Sequence, residues 1–168
     1  MNIINLEYFN EKVGSGRYGS LDDPYIQNLE NKSQISKDLR WKTDYLWLRW
    51  IFINNNNEKK IIEIKASGMC QAVLDVKNGN EYVVAVFGST DWPWPANAAV
   101  FNADGSMRGK ITPPTGLTPK PIEGISSVQI KNGEVLICCY YNHDRLVYIE
   151  FDPETMQWGR VDHLGGRA

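Results

Sequence analysis

The sequence predicts a mainly β protein. It should contain two four-stranded antiparallel meander repeats, an aromatic hairpin before them, and one short N-terminal helix. Three observations carry this prediction. The first is an internal repeat: residues 97–111 align without a gap on residues 147–161, placing Phe101 on Phe151, Asn102 on Asp152, Gly109 on Gly159, Lys110 on Arg160 and Ile111 on Val161. The second is a shared turn: Val76-Lys77-Asn78-Gly79 matches Ile130-Lys131-Asn132-Gly133. Asn-Gly between apolar runs is the strongest short-range hairpin signal. The third is the apolar run after each turn. Residues 82–87 and 135–141 are apolar almost without interruption, as in a strand covered on both faces.

Composition sets the frame for these elements. A chain of 168 residues with 42% hydrophobic and 11% aromatic content can bury a sizeable core in one domain. We read residues 1–168 as a single domain: an N-terminal segment (1–40), the hairpin (41–65), the first repeat (71–112) and the second repeat (126–163). The formal net charge of -2 argues against nucleic acid as the partner, because phosphate binding wants a basic surface. No apolar stretch is long enough to span a bilayer, and the run near Glu7, Glu11 and Lys12 lacks a signal-type core. A cytoplasmic protein without a membrane partner is expected. Cys138 and Cys139 are adjacent, so on a strand their side chains point to opposite faces and do not bridge. Reduced thiols are the simplest reading for them and for Cys70. Two histidines and no spaced ligand set predict neither metal nor cofactor.

In chain order, residues 2–9 are β-prone. Gly14-Ser15-Gly16-Arg17-Tyr18-Gly19 fits Gly-x-Gly-x-x-Gly, but a dinucleotide fingerprint needs a helix opening at its last glycine within a βαβ unit. Leu21-Asp22-Asp23-Pro24 intervenes, so a glycine-rich connection is expected there. Asp23-Pro24 pairs an N-cap with a proline at the first helical position, and Tyr25, Ile26 and Leu29 then share a face. The helix should end near residues 31–36.

Residues 39–53 hold Trp41, Tyr45, Trp47, Trp50 and Phe52, with both strand faces largely apolar. Residues 54–57 are a polar loop, and residues 61–64 return as the second strand of the hairpin. In the first repeat, residues 72–77 alternate as a half-buried strand. Residues 82–87 form the next strand, then come a loop at 88–96, a strand at 97–101, a turn at Asp104-Gly105 and a strand at 107–111. Four prolines in residues 112–124 make a linker. The second repeat has the same plan: strands at 128–130, 135–141, 146–151 and 157–162, and a tail at 165–168.

Each repeat resembles one blade of a β-propeller. The likeness is carried by the Asn-Gly turn, by Val100-Phe101-Asn102-Ala103-Asp104-Gly105 and by Ile149-Glu150-Phe151-Asp152-Pro153-Glu154-Thr155. A closed ring takes ~4–8 blades. Two units and a hairpin therefore imply a sandwich or a partial, propeller-like packing of the meanders.

In a meander the first and third turns share one end and the second loop lies at the other. This places loop 88–96, loop 142–145 and the proline linker together on one rim if the repeats run alike. The rim would carry Asp91, Trp92, Trp94, Glu123, His143, Asp144 and Arg145, our candidate partner-binding residues. Trp92 and Trp94 stand between prolines, and rigid aromatics are the usual anchors of protein interfaces. The competing expectation is that both indoles fold back and cap the core. His143-Asp144-Arg145 holds acid–base groups, but catalysis also needs a positioned nucleophile, and no serine sits in a nucleophile elbow. We therefore expect a binding protein rather than an enzyme.

Modest size, mild acidity, free cysteines and the acidic aromatic loop Asp91-Trp92-Pro93-Trp94 resemble the small immunity proteins of bacterial contact-dependent competition. That resemblance implies stoichiometric neutralisation of a cognate toxin, a basic nuclease domain, by occlusion of its active site. The alternative is a carbohydrate or small-ligand module using the same tryptophans.

Overall fold

Both Asn-Gly pairs adopt the turn that their chemistry favours. In a computed structural model of the chain, which describes residues 2–10, 14–17, 45–88 and 92–167, Asn78 and Gly79 have φ of 51° and 78°. Asn132 and Gly133 have 52° and 76°. Positive φ at both central positions is a type I′ turn, whose twist suits the flanking strands. The turns join β4 (Lys59–Lys77) to β5 (Asn80–Gly88), and β8 (Ile122–Lys131) to β9 (Glu134–Tyr141). Strands β6 (Ala98–Asn102) and β7 (Met107–Lys110) complete the first meander; β10 (Arg145–Asp152) and β11 (Gln157–Arg167) complete the second. Before them come β1 (Ile3–Asn10), β2 (Gly14–Arg17) and β3 (Tyr45–Ile53).

Among the described residues all pairings are antiparallel, in a seven-stranded sheet β2-β1-β3-β4-β5-β6-β7 and a four-stranded sheet β11-β10-β9-β8. The mainly β class is as expected. Boundaries differ in several places, and β8 begins at Ile122, inside the expected linker, rather than at residue 128. Gly14–Arg17 is a strand, with Gly16 opposite Tyr8, rather than a connection. The last strand runs on to Arg167 because Arg145 of β10 offers it a partner. Hairpin and first repeat are not separate units either, since β4 is one strand of 19 residues. Its first half pairs with β3 through Gly68, and its second half pairs with β5 from Met69. The predicted helix after Asp23-Pro24 lies outside the described residues.

β5 is buried from Glu81 to Phe87, and its two faces serve two cores. Val83, Ala85 and Phe87 join Ala99 and Phe101 against Ile3, Leu6, Leu48, Trp50 and Ile62. The seven-stranded sheet therefore bends at β4, and its first half covers the first meander. Trp50 fixes this closure by donating its indole N–H to Ala103 O at 2.8 Å. The other face, Tyr82, Val84 and Val86, together with Val100 of β6, packs with Val135, Ile137, Val147, Ile149 and Phe151 of the second meander. Each such buried side chain contributes roughly 2 kcal/mol.

Equivalent residues face the same way in both copies. Phe101 and Val83 look toward the hairpin layer, and their counterparts Phe151 and Ile137 look toward the first meander. The meanders thus stack front to back.

Two polar side chains tie the sheets where β8 departs from regular pairing. Its register with β9 shifts between Ile122 and Gly124 and between Ile125 and Ser127. Gln71 of β4 accepts the Val128 N–H at 2.9 Å. Asn97, only 1% exposed, donates Nδ2 to Phe87 O at 3.0 Å and Ile125 O at 2.7 Å, and its Oδ1 accepts the Ile125 N–H at 3.1 Å.

Candidate functional site

The loop between β5 and β6 carries Trp92 and Trp94, and the two indoles part company. Trp92 turns back and stacks on Phe87, with ring centroids 4.1 Å apart and planes 11° apart. Lys110 Nζ lies 5.4 Å from the Trp92 ring centroid. Trp92 therefore caps the hairpin-side core. Trp94 runs the other way, across the margin of the second sheet, and stays 54% exposed. It stacks with Tyr140 at 5.3 Å and 28°. Its seat is Gly124: a Cβ there would stand 2.6 and 2.7 Å from Cε3 and Cε2 of the indole, and closer still to Cδ2. Only a residue without a side chain admits the ring. The Trp94–Pro95 peptide bond is cis.

Glu123 is exposed beside this seat, within the bulge that shifts β8 against β9. Its Oε1 accepts the backbone N–H of His143 at 3.1 Å and lies 3.9 Å from His143 Nδ1. The His143 side chain is 93% exposed. Asn142 and His143 have φ of 49° and 68°, which turns the loop sharply between β9 and β10. Asp144 and Arg145 are exposed on the same loop. Residues Pro95, Pro113, Pro114, Pro119, Pro121 and Ile122 line an open cleft of about 380 Å³ next to Trp94. Its one charged lining residue is Lys120.

The structure thus brings together Trp94, Glu123 and His143, with Asp144 and Arg145 beside them. It assigns Trp92 to the core, and Asp91 lies outside the described residues. Tyr140 and Gly124 complete the site, and neither stands out in the sequence. Tyr140 looks like one more residue of a buried strand, and Gly124 like the end of a linker. Among the described residues no group of His, Cys, Asp or Glu is arranged to hold a metal ion, and no helix is long and apolar enough to cross a membrane.

The thiols of β9 belong to the interior. Burial pushes Cys139 up to about 12. Burial also raises Cys138, against hydrogen bonds with Tyr148, Ser127 and Ser126 that act the other way. Neither ionises at pH 8 in the folded chain, and the thiolate is the reactive form. Iodoacetamide at pH 8 should therefore leave both unmodified until denaturant is added, as peptide mapping by mass spectrometry would show.

No protein-family profile, characterised protein or solved structure matches this chain.

Proposed function

We propose that this chain is a binding protein whose Trp94 rim docks a protein partner. We further propose that the partner is a basic toxin domain, neutralised in the cytoplasm in the manner of an immunity protein. One observation carries the reading: Trp94 is more than half exposed, yet it is wedged on Gly124 and against Tyr140. Such an aromatic has already lost the rotamer freedom that binding would otherwise cost, and buried tryptophans dominate interface energetics. Glu123 and Asp144 add carboxylates at the same rim, which suit a basic channel on the partner. Trp92 is no part of the proposed surface.

The front-to-back stacking of the meanders supports a partial, propeller-like arrangement over a simple two-layer sandwich. In that arrangement the two repeats present their longer loops at one end, which supplies the rim.

The test is affinity capture of the tagged protein from its native cytoplasm, then binding measurements on the recovered partner. Trp94→Ala combined with Glu123→Gln and Asp144→Asn should weaken that binding at least ~30-fold, since one interface anchor is worth about 2 kcal/mol or more. Unchanged affinity in a folded variant removes the rim from the reading. A second reading, sugar stacking on the open indole, is favoured by the Trp94–Tyr140 pair. Oligosaccharides should then quench tryptophan emission in the parent chain and not in Trp94→Ala.

A further inference from the structure

At the end opposite the Trp94 rim, beneath the Asn78-Gly79 turn, polar contacts between the meanders surround one buried acid. Asp75 lies on β4 opposite Tyr82 of β5 and is 5% exposed. Its Oδ2 has no hydrogen-bond partner, the one such buried side-chain atom among the described residues. Lys77 flanks it on β4, while Glu134 of β9 and Asp152 of β10 act on it from the second meander. Around it three contacts cross between the meanders. Lys77 Nζ meets Glu134 Oε2 at 3.0 Å, and Asn78 Nδ2 donates to Glu154 Oε2 at 2.7 Å. Arg108 donates Nε to Glu154 O at 3.1 Å, with its guanidinium 5.2 Å from the Tyr82 ring centroid.

A buried carboxylate oxygen without a donor demands an explanation. Packing does not supply one, because the neighbouring inward positions of this core are held by Val73 and Tyr82. A proton would remove the charge that burial penalises. Burial is the strongest influence on Asp75 and raises its pKa, aided by Glu134 and Asp152; Lys77 and the Val76 N–H oppose it.

We infer that Asp75 is a proton-operated joint between the meanders: protonated, it lets their turn ends close tightly, and ionised, it loosens them. Linkage fixes the sign. The folded state holds this proton more strongly than the unfolded chain. Stability from Asp75 therefore falls as pH rises from 3.8 through the folded-state value, and returns on acidification. Asp104 acts oppositely. The Ser106 hydroxyl and N–H hold it below its ordinary value, so its contribution is lost as pH falls. The whole-protein curve mixes the two, and the difference between parent and Asp75→Asn isolates the joint.

Thermal unfolding of both chains between pH 4 and pH 7.5 is the test. Asp75→Asn should melt about 2–4 °C above the parent at pH 7.5, and the gap should close toward pH 4. A gap that does not change with pH, or a variant that melts lower at pH 7.5, overturns the inference. Carboxyl NMR on the parent chain gives a check that needs no substitution. Asp75 should titrate above 3.8, and a midpoint at or below that value refutes the joint.

Discussion

Asn97→Ala should lower the unfolding free energy by about 3 kcal/mol, because buried backbone groups left without partners cost ~1–3 kcal/mol each. The side chain makes three hydrogen bonds to two strands: with Phe87 O, Ile125 O and Ile125 N. Alanine abandons all three groups in a place that water barely reaches, since Asn97 is 1% exposed. The loss is a large share of a typical total of ~5–15 kcal/mol. It should lower the unfolding midpoint by about 6–12 °C. Asn97→Asp keeps the volume but faces two carbonyls with a carboxylate, so it should be at least as harmful. Urea unfolding with an unchanged m-value checks both. A loss below about 1 kcal/mol would mean that Asn97 is not the tie between the sheets.

Gly124→Ala should cost about 2 kcal/mol, the usual toll of overpacking a filled site. The added methyl overlaps the Trp94 indole, and the ring has to leave. The informative experiment is the double-mutant cycle. Trp94→Ala alone should cost about 1 kcal/mol, because the ring is already half in water. With the indole gone, the methyl at position 124 has room. The double variant should then be more stable than the sum of the singles by about 1–2 kcal/mol. Additive losses would show that the two residues do not share the seat. Under the proposed function, Gly124→Ala should also weaken partner binding, because the anchor loses its support.

These two positions show where sequence reasoning stops. The Asn-Gly turns, the doubly covered β5 and the coincidence of the longer loops arise from local chemistry and strand parity. Trp92 and Trp94 are legible as a rigid pair, but not their opposite fates. Those depend on Phe87 and Gly124, which are distant along the chain or unremarkable in it. Asn97 comes after a proline-rich loop and looks like any polar loop residue. Its role appears only once the bulges of β8 set Ile125 before it. β4 looks like two strands in the sequence because Ser67-Gly68 resembles a break. The strand continues because each half has its own partner. Asp75 alternates with apolar neighbours as a solvent-facing residue would, and nothing local signals that a second sheet covers it.

The tie through Asn97 has a consequence for how this chain can meet others. A sheet flank with bare amides is a template on which a foreign strand can grow, and β8 is such a flank by position. Here the Ile125 amide and carbonyl are occupied by Asn97, the Val128 amide by Gln71, and the ring of Trp94 lies across Gly124. At these positions the protein has covered the flank with its own side chains instead of another strand. A foreign strand would find the Ile125 and Val128 amides already taken, so beside Trp94 side chains rather than those amides are what the surface offers a partner.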